Sequence, residues 1–431
     1  MKYLLHISLA LCVALPGAAQ ESAFLQQYRS MALEYSHDLK SAQRNIEASI
    51  ELEKSAKADL KPKLSAGATF QYVGKPLELS KTLPMLENPI EIQGKHLNYG
   101  ATASILQPVY TGGRILETIK MAESKRSLAG NQSDLVRLSI CYQTDIQYWN
   151  TVARKEIEGI TEEFYHSLST FANTINQRVE IGLTDQQDLL MAQVKQNEAE
   201  FQFLQAKADF ETGLMALNSL IGIPLESETT VDSLIPAVTA DGLNAVLNSN
   251  SRPELEIAQD KINIEQVTKR INDSKYKPQL YIGVDGSYSA PGYDFKSDLD
   301  PNYALYAKLS VPIFEWGKRK NERRAANLKI EMATDQLNQV SDQVNLEVES
   351  SRVSLQQAIK RVDLAGSSLD KAYENEKKAM ERYHEGKVSV IEVIDAQVYR
   401  LTSQVNYVQA KVAAQSYLSQ LKKATNSYGA L

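Results

Sequence analysis

The fold is decided by residues 312–386, which read PIFEWGKRKNERRAANLKIEMATDQLNQVSDQVNLEVESSRVSLQQAIKRVDLAGSSLDKAYENEKKAMERYHEG. This stretch has no proline after its first residue, and its apolar residues recur at steps of mostly three, four or seven, as on one buried helix face. A helix over residues 319–384 has 66 residues (384 − 318) and a length of about 100 Å. Because globular helices usually run about 8–20 residues, the pattern predicts a coiled coil or a helical repeat.

The same pattern occurs earlier in the chain. Pro108 and Pro312 lie 204 positions apart (312 − 108), and this offset also pairs Gly182 with Gly386 without a gap. Further upstream the offset is 216, which pairs Pro62 with Pro278 (278 − 62). The chain is therefore predicted to contain two tandem repeats, each with the order helix, strand, strand, long helix, helix.

The predicted boundaries follow from proline positions and periodicity. The helices and strands are interrupted where prolines cluster, since proline breaks the backbone hydrogen bonds of both. Residues 1–20 form a signal peptide, 21–222 the first repeat, 223–251 a linker at the waist of the helical part, and 252–431 the second repeat. The predicted helices span residues 21–59, 115–181, 184–220, 253–276, 319–384 and 389–424, with strand pairs around residues 74–94 and 291–301.

The first twenty residues have the composition of a secretory signal. Lys2 supplies the positive charge, residues 4–15 the apolar segment, and residues 17–19 the small side chains of a cleavage region. The apolar segment is too short to span a membrane. After its removal only Cys141 remains, so no intrachain disulfide can form. An exported chain of this kind is typical of the bacterial envelope rather than of small disulfide-rich secreted proteins.

The four predicted strands alternate apolar residues on one face with small polar residues on the other, and tyrosines lie at their ends. This pattern is typical of the wall of a transmembrane barrel, although a soluble sheet with one buried face would have it too. Four strands cannot close a barrel, and lipid does not tolerate open sheet edges. If the hairpins enter a membrane, several chains must therefore share one barrel.

Composition argues against several other functions. The net charge of −6 and the absence of a basic stripe give no indication of nucleic acid binding. The five histidines are scattered, and the sequence has no phosphate-binding glycine loop and no dinucleotide fingerprint. We therefore expect no enzymatic activity, no metal site and no cofactor.

Four motifs occur in order along the chain. They are Leu60-Lys61-Pro62-Lys63-Leu64, Gln107-Pro108-Val109-Tyr110-Thr111-Gly112-Gly113-Arg114, Arg252-Pro253-Glu254-Leu255 and Ser310-Val311-Pro312-Ile313-Phe314-Glu315-Trp316-Gly317-Lys318. No motif is specific by itself, but the order, spacing and duplication of the motifs are. With these motifs, the sequence resembles the TolC-like outer membrane efflux proteins, the outer membrane factors of tripartite pumps, over essentially its whole mature length.

The resemblance implies a mainly α fold in which three chains share a twelve-stranded transmembrane β-barrel and an α-helical tunnel in the periplasm. The homotrimer would lie in outer membrane lipid. It would receive cargo from an inner membrane pump through a periplasmic adaptor (membrane fusion) protein, for efflux or type I secretion. It would be a passive conduit that opens at its periplasmic helical tip. The cargo, the pump and the adaptor are not implied.

The resemblance also implies roles for residues at the helical turns. The glycines Gly182 and Gly386 are expected to end the long helices, with Thr184 and Ser389 as the N-caps of the return helices. Adaptor docking would use Gly182, Leu183, Thr184, Gly386, Lys387, Val388 and Ser389, and the gate and its selectivity would use Glu392, Asp395, Asp188 and the gate tyrosine Tyr383. The family's arginine is replaced by Val388, which puts an ion-pair lock in doubt. For Glu392 and Asp395 a solvated helix face is the alternative.

Two functions from other classes fit parts of this pattern. An envelope coiled-coil protein that never enters a membrane would account for the helices, but it has no use for four alternating strands. An ungated oligomeric porin would account for the strands, and only evidence of gating distinguishes it from an efflux duct.

Overall fold

The computed structural model describes residues 22–81, 90–238, 252–292 and 298–428. The predicted signal peptide lies outside the described residues. So do residues 82–89 of the loop between the first two predicted strands, residues 239–251 of the predicted linker, and residues 293–297 of the second hairpin.

The elements confirm the predicted order in both halves. In the first half they are α1 (Ala23–Tyr35), α2 (His37–Ala58), β1 (Lys63–Tyr72), β2 (Glu78–Lys81), β3 (Ile90–Gln93), β4 (Leu97–Tyr110), α3 (Arg114–Glu180) and α4 (Gln186–Ile221). In the second half they are α5 (Pro253–Ser274), β5 (Gln279–Ala290), β6 (Asp300–Ser310), α6 (Lys318–His384) and α7 (Val390–Ala424). Both long helices, α3 and α6, have 67 residues. Among the described residues, no helix combines the length and the apolar character needed to cross a membrane.

Two details differ from the sequence prediction. The opening helix is divided at Ser36, whose hydroxyl accepts a hydrogen bond from the Leu39 N–H at 3.2 Å and so caps the start of α2. The loop between β1 and β4 contains the additional hairpin of β2 and β3, in which Leu79 pairs with Ile92. Each of these strands has four residues, which is too short for an alternating pattern to stand out in the sequence.

The chain forms two compact units that do not coincide with the two repeats. Unit 1 contains the described residues up to Ala42, from Gln132 to Leu255, and from Gln339 onward. Unit 2 contains Gln43–Asn131 and Glu256–Asn338. Each unit therefore takes elements from both halves of the chain.

Unit 2 contains an antiparallel sheet of four strands in the order β1-β4-β5-β6. The first half's β4 pairs with the second half's β5, so that Ile105 lies opposite Val284. The edges of the sheet are β1 and β6, and β1 is exposed along its whole length. One buried apolar cluster of this unit is small and consists of Ala56, Ile115 and Ile119.

Unit 1 contains larger cores and buried polar networks. Tyr148, Val152 and Leu217 are completely buried and pack with the described end of the linker region. At another point the Arg29 guanidinium donates to the Asp145 carboxylate at 2.7 Å, with both side chains buried.

The last described residues complete this network in unit 1. The Tyr428 hydroxyl donates to the same Asp145 carboxylate at 3.1 Å, and the Tyr428 ring lies 5.1 Å from the guanidinium carbon of Arg29. Burial raises the pKa of the Tyr428 hydroxyl well above its usual value, and the negative charge of Asp145 adds to the shift. Residues from α1 and from the segment after α7 therefore meet at one carboxylate.

Candidate functional site at the helical turns

The first helical turn (residues 181–185) connects α3 to α4 within unit 1. Gly182 has a φ of 72°, in the left-handed region that glycine adopts without strain. Its N–H donates to the Val179 carbonyl at 2.9 Å, and the Leu183 N–H donates to the Arg178 carbonyl at 2.8 Å. These two bonds are the Schellman pattern that ends a helix, as the sequence predicts for this glycine.

The second helical turn (residues 385–389) repeats the same geometry between α6 and α7. Gly386 has a φ of 74°. The Gly386 N–H donates to the Tyr383 carbonyl at 3.0 Å, and the Lys387 N–H donates to the Arg382 carbonyl at 2.9 Å. The duplication therefore preserves both backbone hydrogen bonds of the turn.

The starts of the return helices are capped differently. Ser389 is the N-cap of α7, as predicted, and it forms a capping box in which the Glu392 carboxylate accepts from the Ser389 N–H at 3.4 Å. The prediction that Thr184 caps α4 is wrong by one residue, because Asp185 is the N-cap and makes no side-chain cap bond. The Thr184 hydroxyl instead donates to the Asp188 carboxylate at 2.7 Å.

The predicted acidic residues lie in different surroundings. Glu392 is exposed and takes part in the capping box, so it has a local structural role. Asp395 is exposed three residues further along the same helix. Asp188, the first-half counterpart of Glu392, is half-buried and accepts from Thr184. Met191, the counterpart of Asp395, packs against the apolar core below.

Tyr383 lies inside that core, and its side chain is only 4% exposed. Its ring meets the Phe171 ring edge to face, with 5.2 Å between ring centroids. On the other side, the guanidinium carbon of Arg178 lies 4.5 Å from the centroid of the Tyr383 ring, within the range of a cation–π interaction. The Tyr383 hydroxyl has no hydrogen-bond partner. Tyr383 therefore joins α6 to α3 through its ring and not through its hydroxyl.

The core around Tyr383, which we call the turn core, is built from four helices. Its buried residues are Phe164, Leu168, Phe171, Ala172, Ile175, Leu189, Ala192, Ala199, Tyr383, Val390, Val393, Ile394 and Leu401. Val388 packs against it as a partly buried side chain. A valine in this position cannot form the ion pair that the family resemblance implies for the arginine at this point.

Buried polar groups lie close to the turn core on α6 and α7. The Gln397 amide donates to the Ser167 hydroxyl at 3.1 Å, and its carbonyl oxygen has no partner. Arg400 Nε lies 2.6 Å from a carboxylate oxygen of Glu376. Burial raises the pKa of the Glu376 carboxyl above its usual value, and the Arg400 charge opposes the shift.

Sequence reasoning identified the turns but missed Arg178 and Arg400. Basic residues are common in the last turn of a helix, where their charge is favourable for the helix dipole. Nothing in the sequence therefore marked Arg178 as a functional residue. Its stacking on Tyr383 depends on two helices that lie about 200 positions apart in the sequence.

The surface of the first helical turn is apolar. Ile181 and Leu183 are 70% and 71% exposed. The second helical turn is more polar, since Lys387 is exposed and forms an ion pair with Glu385 at 2.7 Å. Within the described part of the chain, no group of three or more histidine, cysteine or acidic side chains is placed to hold a metal ion.

Comparisons with known proteins agree with this architecture. The sequence model of the family described as "Outer membrane efflux protein" matches residues 28–223 and 247–427. No curated protein is significantly similar in sequence.

Solved structures resemble the fold over almost the whole chain. The Campylobacter jejuni CmeC outer membrane channel has a TM-score of 0.74 and 18% identity, over 94% of this chain and 85% of that one. The outer membrane protein VceC from Vibrio cholerae has a TM-score of 0.75 and 17% identity, over 93% and 95%. The open state of the Neisseria gonorrhoeae MtrE outer membrane channel has a TM-score of 0.72 and 17% identity, over 93% and 88%.

Proposed function

Because the chain belongs to the outer membrane efflux protein family, we propose that three copies form one passive duct that opens and closes at the helical turns. Family membership makes the protein an efflux channel of the outer membrane with a periplasmic helical extension. The members of the family are non-enzymatic transport proteins. The sequence predictions of family, location and lack of catalytic activity are thereby confirmed.

The observation that carries the proposal is the four-stranded sheet of unit 2. Among the described residues, no further strand lies beside its edge strands β1 and β6, and open edges are not tolerated in lipid. Leu64 and Phe70 on β1 and Tyr303 and Leu305 on β6 are at least 73% exposed, which suits contact with lipid or with another copy. Three such sheets supply the twelve strands of a closed barrel.

The assembly state gives the first test. Protein extracted in detergent should have the mass of three mature chains by light scattering. A protein that is monomeric in the outer membrane fraction would contradict the proposal, since its sheet edges would be open in lipid.

The helical turns are proposed as the docking surface for a periplasmic adaptor that connects the duct to an inner membrane pump. Ile181 and Leu183 present apolar side chains at the first helical turn, and exposed apolar groups of this kind are typical of interaction sites. The second helical turn would add Lys387 and Ser389. Changing Leu183 to Asp should reduce adaptor binding in pull-down experiments, while the buried core below would be unchanged.

The gate is proposed to combine an acidic surface with the Tyr383 contact. Glu392 and Asp395 are both exposed on α7, so three copies would carry six of these carboxylates around one axis. Clustered carboxylates attract cations and bind multivalent ones. The Tyr383 ring between Phe171 and Arg178 would hold α6 against α3 in the resting state.

Single-channel recording tests the acidic surface. Glu392→Ala combined with Asp395→Ala should lower cation selectivity and remove inhibition by multivalent cations. Glu349→Ala is the matched control, because Glu349 is an exposed helical carboxylate paired with Arg352. Unchanged selectivity and block in the double variant, with trimer mass intact, would mean that these carboxylates belong to an ordinary solvated face.

Replacing Tyr383 tests whether its ring holds α6 against α3 in the resting state. Tyr383→Ala should raise the resting conductance, whereas Tyr383→Phe should not, because the hydroxyl has no partner. If neither variant changes conductance, the protein is better described as a porin with a fixed opening.

A further inference from the structure

The turn that leads from β6 into α6, the second junction turn (residues 311–317), carries an exposed apolar group. Ile313, Phe314 and Trp316 are 94%, 69% and 89% exposed, and the last two rings meet edge to face at 5.0 Å. Trp316 has a φ of 47°, which is uncommon for a residue other than glycine. An unusual backbone with a large exposed side chain points to a contact made outside the single chain.

The first half of the chain shows what this kind of turn contacts. In the first junction turn (residues 111–113) the position of Trp316 is occupied by Gly112 (316 − 204), which also has a positive φ of 67°. A Cβ atom on Gly112 would lie 2.5 Å from the Ser274 carbonyl oxygen and 2.8 Å from Lys277 Cβ. The first junction turn is therefore closed tightly against the end of α5, which belongs to the second half.

A polar contact accompanies this closure further along the same helices. The Asn131 amide of α3 donates to the Asp260 carboxylate of α5 at 2.7 Å. Within one chain, the first half is thus joined to the second half by β4 against β5, by Gly112 against the end of α5, and by Asn131 against Asp260.

The repeat defines the equivalent contacts that a single chain cannot make. After β6 the next strand in the same order would be β1 of a neighbouring copy, as β5 follows β4 within the chain. The counterparts of Ser274 and Lys277 are Ala58 and Lys61 (274 − 216 and 277 − 216). The counterparts of Asn131 and Asp260 are Asp335 (131 + 204) and Arg44 (260 − 216). Asp335 and Arg44 have opposite charges and are both exposed.

We infer that Trp316 lies against residues 58–61 of the neighbouring copy, and that Asp335 pairs with Arg44 of that copy. The inference rests on the proposed function, because it requires a ring of copies. An indole cannot fit where Gly112 leaves no space for even a Cβ atom. The boundary between copies is therefore wider at this point than the boundary within the chain, and the Trp316 side chain fills the difference.

Tryptophan fluorescence tests this position, because the chain has two tryptophans and Trp149 is buried in unit 1. Trp149→Phe leaves Trp316 as the only reporter. Should this variant assemble poorly, the difference between the native protein and Trp316→Phe gives the same signal. In trimers reconstituted into phosphatidylcholine vesicles, we expect blue-shifted Trp316 emission that neither acrylamide nor brominated phosphatidylcholine quenches. Quenching by the brominated lipid would make the turn a membrane anchor, and quenching by acrylamide would leave it in water. Either result overturns the inference.

Cross-linking identifies the partner directly. With Cys141 replaced by Ser, Lys61→Cys combined with Trp316→Cys should give disulfide-linked dimers and trimers on non-reducing gels. The matched control is Lys277→Cys with Trp316→Cys, which should give no ladder, because Lys277 faces the first junction turn of its own chain. The assignment is contradicted if only the control pair gives a ladder, or if neither pair gives one.

A charge exchange tests the second contact. Arg44→Asp and Asp335→Arg should each speed dissociation of the trimer severalfold, and the two changes together should restore the native rate, as for an exposed ion pair. Dissociation equally fast in the double variant would exclude the pair. Light scattering on each sample separates the two levels of failure. A lack of trimers in the native protein refutes the proposed function, whereas intact trimers without these contacts refute only the inference.

Discussion

In the first helical turn Asp185 begins the return helix without a side-chain cap bond, whereas in the second helical turn Ser389 and Glu392 form a complete capping box. Both turns nevertheless keep a left-handed glycine and the same two backbone hydrogen bonds. Duplication has preserved the backbone geometry while the side chains have diverged. Each turn therefore serves as a control for the other, because the backbone is the same in both and only the side chains differ.

The largest difference between the turns should come from Tyr383, whose counterpart in the first half is Val179 (383 − 204). Tyr383→Ala should lower the free energy of local unfolding by about 3–5 kcal/mol, since it empties a buried aromatic site. Val179→Ala should cost about 1 kcal/mol, because Val179 is only partly buried. Hydrogen exchange of the turn amides measures both values. Equal losses would mean that the two halves contribute alike to the turn core.

The glycines should behave alike in the two turns. Gly182→Ala and Gly386→Ala should each cost about 1–2 kcal/mol, because alanine is strained at a positive φ and no atom lies within 4 Å of either added Cβ. Gly159→Ala, on the exposed side of α3, is a control with an effect of opposite sign. It should raise the free energy of unfolding by about 0.5–1 kcal/mol. A much larger loss at one turn glycine would show that this turn also contacts a partner.

The caps should respond differently to salt. Ser389→Ala should cost about 1 kcal/mol at any ionic strength, since it removes a hydrogen-bonded cap. Asp185→Ala should cost about 0.3 kcal/mol at low salt, because Asp185 acts on the helix dipole only through its charge. In 1 M salt the second effect should vanish. A salt-independent loss at Asp185 would indicate a cap bond in solution.

A dependence on pH should appear at Glu376 of α6 and not at the equivalent position of α3. Burial raises the pKa of Glu376, whereas its first-half counterpart is Ala172 (376 − 204), which has no charge to lose. A carboxyl whose pKa is raised on folding stabilises the native state below its ordinary pKa, and this contribution is lost as the pH rises through the raised value. Protection of the α6 amides should therefore decrease over this range, and Glu376→Gln should remove the decrease. An unchanged pH profile in the variant would assign the effect to another group.

The smallest effects on stability are expected at Glu392 and Asp395. Glu392→Gln keeps a capping box, since glutamine also accepts from the N-cap N–H, and should change stability by at most about 0.5 kcal/mol. Asp395→Asn, at an exposed position, should be neutral within about 0.5 kcal/mol. If either variant unfolds the turn, its effect on ion selectivity cannot be attributed to charge.

The parts of the fold that depend on local signals were predictable. Helical spacing, proline positions and the turn glycines gave the long helices to within one residue, because each signal lies within the element that it specifies. The break at Ser36 is marked only by a single capping residue, and the N-cap at Asp185 competes with the adjacent Thr184. The first error arises because one capping residue is a weak signal, and the second because adjacent Thr184 and Asp185 are both residue types that favour the N-cap position.

The rest of the site depends on contacts between distant segments, which no periodicity records. Glu392 was expected to act on ions, but its carboxylate also closes a capping box. Tyr383 can lie beneath Arg178 only if the ends of α3 and α6 are side by side. The alignment of the repeats reveals which residues correspond, but it does not reveal which of them meet.

The network of Arg29, Asp145 and Tyr428 has a consequence for the biogenesis of the protein. The Asp145 carboxylate receives hydrogen bonds from Arg29 and from Tyr428, so this part of unit 1 cannot be completed until Tyr428 has been exported. Until then Asp145 lacks the hydrogen bond from Tyr428, although Arg29 precedes it in the chain and can already pair with it. Closure over such a long separation in sequence is slow, and unfinished chains with exposed apolar surface are prone to aggregation. We therefore expect a chain without Tyr428 to be more accessible to periplasmic chaperones and proteases than one in which this network is complete.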